Sequence, residues 1–131
     1  MTRREAREQA FILLFEKSFN NETDINEVIE LAKEQRNLED NDFVQKLVHT
    51  ACENIEAIDE VIASNARGWK INRIPKASLA IIRLALAEIF YCDDIPDGVS
   101  VNEAVELAKK YSTAEDASFI NGLLGTVVRS K

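Results

Sequence analysis

The segment Pro75–Cys92, PKASLAIIRLALAEIFYC, decides the fold class. From Leu79 to Phe90 only Arg83 and Glu88 interrupt a run that is otherwise apolar, and a helix of this kind must be covered by other elements. Pro75 suits the first turn of such a helix, because its missing N–H would have no partner there anyway. The run is short and carries two charges, so a membrane span is not expected. We predict a central, buried α-helix.

Apolar residues recur at helical spacing on both sides of this segment, and the chain of 131 residues contains only four glycines and two prolines. Thr2 and Glu5 form a T-x-x-E capping box at the start of a helix that should run to about Lys17. A second helix should begin near Asp24. Another helical pattern runs from Asn41 to about Ala66, and because it is long we expect it to break near Asn54.

The remaining predicted elements follow the central helix. Asp97-Gly98 is expected to form a turn, after which Ser100 and Glu103 offer a second capping box. Thr113, with Asp116, should begin the last helix. The prediction is an all-α fold, a helical bundle of about seven helices in which two small bundles share the central buried helix.

The formal net charge of -7 is unevenly distributed along the chain. Asn21–Glu60 holds twelve acidic and three basic residues, whereas Val61–Ala87 holds five basic residues and no acidic one. An acidic protein can still present a basic surface when the two signs are segregated.

Signs of catalysis are missing from the sequence. His49 is the only histidine and lies beside apolar residues, and there is no glycine-rich phosphate loop, H-E-x-x-H string or metal-spaced cluster. Cys52 and Cys92 are forty positions apart, which fits no redox or metal motif, so we expect reduced core thiols in a cytoplasmic protein. No enzyme activity, cofactor or metal is predicted.

Three arginines, Arg3, Arg4 and Arg7, fall within the first seven residues, at the end of a helix whose dipole favours acids. Helical spacing places them on one arc, and we expect this arc to protrude past the core where a phosphate could reach it. The alternative is a solubilising helix end in which the arginines pair with Glu5 and Glu8.

Three stretches together resemble the NusB family of transcription antitermination factors: TRREAREQAFILLFE, WKINRIPKASLAIIRLALAEI and VSVNEAVELAKKYSTAEDASFINGLLG. The resemblance implies one NusB-like, all-helical RNA-binding domain over residues 1–131. Its partner would be NusE, which is also a small-subunit ribosomal protein, and the pair would bind the single-stranded leader element boxA. The bound complex would help the transcription elongation complex to read through terminators in ribosomal RNA operons. Some members of the family form homodimers and others are monomers.

By position, the resemblance implies an RNA-binding surface made of Arg3, Arg4, Arg7, Asp116, Ser118 and Phe119. From the residues alone, Phe119 could stack on a base or belong to the core, and Asp116 could bind a base edge or serve only the helix cap. A basic stretch would extend a phosphate track if it lies on the same side: Arg67, Lys70, Arg73 and Lys76. Trp69 is expected to be a core anchor, and Arg83 to pair with a carboxylate inside the bundle.

Two other interpretations remain open at this stage. One is a helical protein–protein adaptor without RNA binding. The other is the helical N-terminal part of a ribosomal RNA cytosine methyltransferase, which would require a nucleotide-binding domain after Lys131. Under the RNA-binding interpretation, replacing all three arginines by glutamine should remove RNA binding and leave the fold intact.

Overall fold

The computed structural model describes residues 1–66 and 68–131, and over these residues the chain forms seven α-helices and one short 3₁₀ turn, Ile71–Arg73. The helices are α1 (Arg3–Lys17), α2 (Ile25–Arg36), α3 (Asp42–Glu53), α4 (Ile55–Asn65), α5 (Lys76–Tyr91), α6 (Asp97–Tyr111) and α7 (Ala114–Ser130). The predicted all-α fold is confirmed.

The central helix is α5, which packs against α1, α3, α4, α6 and α7. On one side, α1, α2 and α3 pack against each other, and on the other side α7 packs against both α4 and α6. The two groups of helices share α5, as predicted. The largest apolar side chains of α5, among them Ile81, Ile82 and Leu86, are fully buried because helices cover the segment on both sides.

The predicted helix starts are confirmed where a side chain caps the helix. Thr2 and Glu5 form the capping box of α1, the Asp24 side chain caps α2, and the Thr113 hydroxyl accepts a hydrogen bond from the Asp116 N–H at the start of α7. The predicted break lies at Asn54, which ends α3 and precedes α4. These features depend on residues close in sequence, which is why the sequence could predict them.

The expected turn at Asp97-Gly98 is wrong, because these residues are the first two of α6 and Pro96 precedes them as the N-cap. The capping box expected from Ser100 and Glu103 is therefore wrong as well. Both residues lie within α6 and make tertiary contacts instead: the Ser100 hydroxyl donates to Glu88, and Glu103 accepts from Arg4.

Arg83, the one basic residue in the interior of α5, forms two 2.9 Å hydrogen bonds with the carboxylate of Asp59 on α4. The predicted pairing of this arginine with a carboxylate inside the bundle is confirmed. None of the helices described by the structure is long and apolar enough to cross a membrane.

Truncation of a buried α5 side chain should show how far the fold depends on this helix. We expect Leu86→Ala to lower the free energy of unfolding by about 2–5 kcal/mol, because it leaves a cavity at the centre of both helix groups. Leu31→Ala, at an exposed position on α2, is the matched control and should change it by less than about 0.5 kcal/mol. If urea unfolding gives the same loss of free energy for Leu86→Ala and Leu31→Ala, the central role of α5 is contradicted.

Candidate nucleic-acid interface

The first two turns of α1 place their arginines in different environments. The Arg7 side chain is only 7% exposed, and its Nε donates to both carboxylate oxygens of Glu88, at 3.0 and 2.9 Å. Glu88 also accepts from the Ser100 hydroxyl at 3.1 Å, and Glu103 lies 3.6 Å from the Arg7 guanidinium. The expectation that Arg7 protrudes toward a ligand is therefore wrong. Arg7 lies one helical turn after Arg3, and at this position its side chain is covered by residues of α5 and α6.

Arg3 and Arg4 remain at the surface, with side chains 57% and 71% exposed. The Arg3 guanidinium lies 4.0 Å from the ring centroid of Phe43 and 3.9 Å from Asp94. Arg4 donates two hydrogen bonds, of 3.1 and 2.8 Å, to Glu103, and this contact holds the pKa of the Glu103 carboxyl below its usual value. Each arginine is thus oriented by an acidic side chain while most of its own side chain remains exposed to solvent.

A groove of about 350 Å³ lies beside Arg4, between α1 and α6. Four basic and three acidic side chains line this α1–α6 groove. Lys110 pairs with Glu8 at 2.7 Å, and Lys109 lies 3.5 Å from Glu106. Each carboxylate here faces a cation, so the groove has no excess of negative charge although the protein as a whole is acidic.

Two further grooves share lining residues with one another or with the α1–α6 groove. Lys109 also lines a groove of about 690 Å³ between α6 and α7, the α6–α7 groove. Ser118 and Arg129 line that groove and also a third one of about 600 Å³, which contains Trp69 and which we call the Trp69 groove. Shared residues therefore link Arg4 to the start of α7 across the surface.

The three α7 residues predicted as RNA ligands differ in their availability. The Asp116 N–H donates to the Thr113 hydroxyl, which caps α7, whereas the Asp116 carboxylate accepts a hydrogen bond of 2.5 Å from the Ser112 hydroxyl and forms no capping box. Ser118 is exposed. Phe119 is half-buried: it packs against the core and also lines the Trp69 groove. Its core role is thus present, and its ring is also accessible from the groove.

The expectation that Trp69 is a core anchor is wrong, because the residue is 54% exposed. Its ring centroid lies 5.8 Å from that of Phe119, at an interplanar angle of 53°. Sequence spacing gave no signal for this position, since Trp69 lies in the segment between α4 and the 3₁₀ turn, outside any helical period.

The residues of the basic stretch have different surroundings. Arg67 lies outside the described residues. Lys76 donates to the Ser18 carbonyl at 3.2 Å and lies over the Phe19 ring, so it belongs to the C-terminal end of α1, about 22 Å along the helix from Arg3. Lys70 directly precedes the 3₁₀ turn and Arg73 is its last residue, and both are exposed. Lys76 therefore lies away from the arginines that begin α1, and the phosphate track along the basic stretch stays a prediction.

Lys110, which lines the α1–α6 groove, was missed by the sequence analysis, and so were two further basic residues at the linked grooves, Lys109 and Arg129. All three lie near the C-terminal ends of their helices, where a cation is expected for the helix dipole and therefore gives no functional signal.

The other candidate chemical groups have structural contacts. The ring nitrogens of His49 lie 2.8 Å from the Gln45 carbonyl and 2.9 Å from the Asn26 side chain. Cys52 and Cys92 are unpaired, and burial raises the pKa of both thiols. Over residues 1–66 and 68–131, no cluster of three or more potential ligands could hold a metal ion.

Comparison with known proteins gives one consistent family. The model of the NusB family matches residues 4–129. The transcription antitermination protein NusB of Clostridium novyi is 43% identical over 134 residues, which cover 99% of this chain and 100% of that protein. A structure of antitermination factors NusB and NusE in complex with dsRNA has a TM-score of 0.88 at 27% identity, covering 98% of this chain and 97% of that one. The solution structure of NusB from Aquifex aeolicus gives 0.84 at 29% identity, with 98% and 88% covered.

The different environments of Arg3 and Arg7 predict losses of stability of different size. Arg7→Ala should lower the free energy of unfolding by about 3–5 kcal/mol, because it leaves Glu88 buried without its cation. Arg3→Ala, one turn earlier, should cost at most about 1 kcal/mol. Urea unfolding monitored by circular dichroism measures both. An Arg7→Ala variant as stable as Arg3→Ala would show that the buried pair is not important for the fold.

Proposed function

Because the chain belongs to the NusB family, we propose that it is an RNA-binding transcription antitermination factor that acts together with NusE. The predicted family is thereby confirmed, and the relatives carry the name of an antitermination protein rather than of an enzyme, as expected. The finer proposal is that the two proteins bind boxA-type single-stranded leader RNA and promote read-through in ribosomal RNA operons, with residues 1–131 acting as one RNA-binding domain.

The observation that carries this proposal is the position of Arg3 and Arg4. They are exposed at the start of α1, and Arg4 opens onto the first of three linked grooves. Arg4 uses its Nε and Nη2 on Glu103, so the rest of its exposed guanidinium can bind a phosphate while this contact is kept. A helix N-terminus also favours an anionic ligand through its dipole.

The far end of the linked grooves supports a single strand as the ligand. Ser118 can hydrogen-bond a phosphate or sugar, and the half-buried ring of Phe119 faces a groove in which an unpaired base has room. Proteins hold unpaired RNA bases on aromatic rings, whereas paired bases are stacked within their own duplex and do not offer their faces. The NusB–NusE structure to which this chain is similar contains dsRNA, so both forms belong in the test.

Arg7 has a different role in this proposal from that of Arg3 and Arg4. Its guanidinium is bound to Glu88 and close to Glu103, so it positions the start of α1 rather than binding phosphate. Through Glu103, which bonds Arg4 as well, Arg7 also helps to orient the exposed arginine.

Removing the two exposed charges should weaken RNA binding without unfolding the protein. For Arg3→Gln/Arg4→Gln we expect about tenfold weaker binding of boxA-type single-stranded RNA at 0.15 M salt, and a slope of log affinity against log salt that is shallower by about 1.4. Lys33→Gln/Arg36→Gln makes the same charge change on α2 and is the matched control. Fluorescence anisotropy with single-stranded and double-stranded forms measures both. A double variant that binds like its control would contradict the proposed site.

Cooperation with NusE gives a second prediction. Because NusE would add contacts to the same strand, it should raise the RNA affinity of this protein by about tenfold, which corresponds to about 1.4 kcal/mol. Equal affinity with and without NusE would contradict the cooperative pair. Tight binding to NusE with no RNA binding under any salt condition would favour the adaptor interpretation instead.

A further inference from the structure

We propose that the Trp69 groove is a nucleobase-binding subsite in which the indole ring of Trp69 stacks on one unpaired base of the bound RNA. This inference rests on the proposed function, because it assigns the groove to the same RNA strand that Arg3 and Arg4 bind. It adds a stacking residue and a specific place on the surface to that function.

The angle between the Trp69 and Phe119 rings leaves the indole of Trp69 available for stacking on a base. Trp69 is the large aromatic side chain exposed at this surface, and its tilt of 53° to Phe119 means that the two rings are not stacked face to face. Phe119 is itself fixed by its contact with the core, so it holds the indole from one side. A rigid aromatic surface of this kind binds a flat base at a low cost in conformational entropy.

Gly122 keeps the groove open beside these rings. It lies on the exposed side of α7 and lines the groove, and a Cβ built at this position would meet no atom within 4 Å. Glycine is unfavourable inside a helix, and no close helix packing requires it here, since the space beside it is empty. Its lack of a side chain leaves room at the surface where the base would enter.

The charge around the groove favours a nucleic acid over a protein segment. Of the described residues that line it, Arg129 is the one with an ionisable side chain, and none carries a carboxylate. Lys70 follows Trp69 directly, and Arg73 lies in the adjacent 3₁₀ turn. An aromatic surface bordered by cations fits a base together with its phosphate.

The groove is also continuous with the rest of the proposed RNA path. Ser118 and Arg129 line both the Trp69 groove and the α6–α7 groove, which Lys109 connects to the α1–α6 groove beside Arg4. A strand that contacts Arg4 and follows these grooves therefore ends at Trp69.

Intrinsic fluorescence tests this subsite directly, because Trp69 is the only tryptophan in the chain. Titration of the wild-type protein with boxA-type single-stranded RNA should quench its emission and protect it from acrylamide. Inorganic polyphosphate carries the charge but no bases, so it should leave both signals close to their starting values. Equal quenching by polyphosphate would overturn the stacking role.

Two variants test the groove by different routes. Trp69→Ala should weaken binding of this RNA about fivefold to tenfold, which corresponds to about 1–1.4 kcal/mol, while Trp69→Phe should lose less. Gly122→Leu keeps both rings but fills the groove, so it should weaken binding similarly and raise the melting temperature, because leucine is the better helix former. Phe19→Ala is the matched control, because it removes a 65% exposed aromatic ring just after the C-terminal end of α1.

The outcomes separate this inference from the proposed function. If Trp69→Ala and Gly122→Leu bind within twofold of Phe19→Ala while Arg3→Gln/Arg4→Gln binds weakly, the subsite is wrong and the RNA-binding function stands. If the wild-type protein binds no RNA, with or without NusE, both are wrong. If NusE alone protects Trp69 from acrylamide, the groove is a protein-docking surface and the subsite is again wrong. Should Trp69→Ala not fold, Gly122→Leu and the wild-type fluorescence decide.

Discussion

The buried contact between Arg7 and Glu88 constrains the rest of the structure. Neither charge can be buried alone without a large desolvation penalty, so α1 and α5 must pack with these two side chains facing each other. Ser100 extends the constraint to α6 by donating to the same carboxylate. Because a buried pair tolerates little displacement, it fixes how α1 is rotated against α5, and with it the direction in which the preceding residues point.

The exposed arginines depend on this constraint. Arg3 lies one turn before Arg7 and Arg4 three residues before it, so fixing Arg7 inside the bundle determines where both emerge. Glu103 reinforces the arrangement by contacting Arg7 from below and Arg4 at the surface. Within the arginine-rich start of the chain, Arg7 thus anchors the helix, whereas Arg3 and Arg4 are presented to a ligand.

The sequence could predict what depends on neighbouring residues. The apolar period of α5 and the cap at Thr2 follow from spacing alone, and both were predicted correctly. The roles of Arg7 and Ser100 could not be predicted in the same way, because their partner Glu88 lies 81 and 12 positions away. No partner was predicted for Glu88, because several cations of the chain could face this helix until the packing was known.

The distribution of ion pairs explains how a protein with a net charge of -7 can offer a surface to RNA. The carboxylates of the α1–α6 groove, Glu8, Glu103 and Glu106, are each within 4 Å of a cation and so repel an approaching phosphate only weakly. Around the Trp69 groove the balance is different, since Arg129 has no carboxylate within that distance in the described part of the chain. A strand moving from Arg4 toward Trp69 therefore passes from neutralised charge to free positive charge beside exposed aromatic rings. Such a gradient would hold the strand by phosphate contacts at one end and by base stacking at the other.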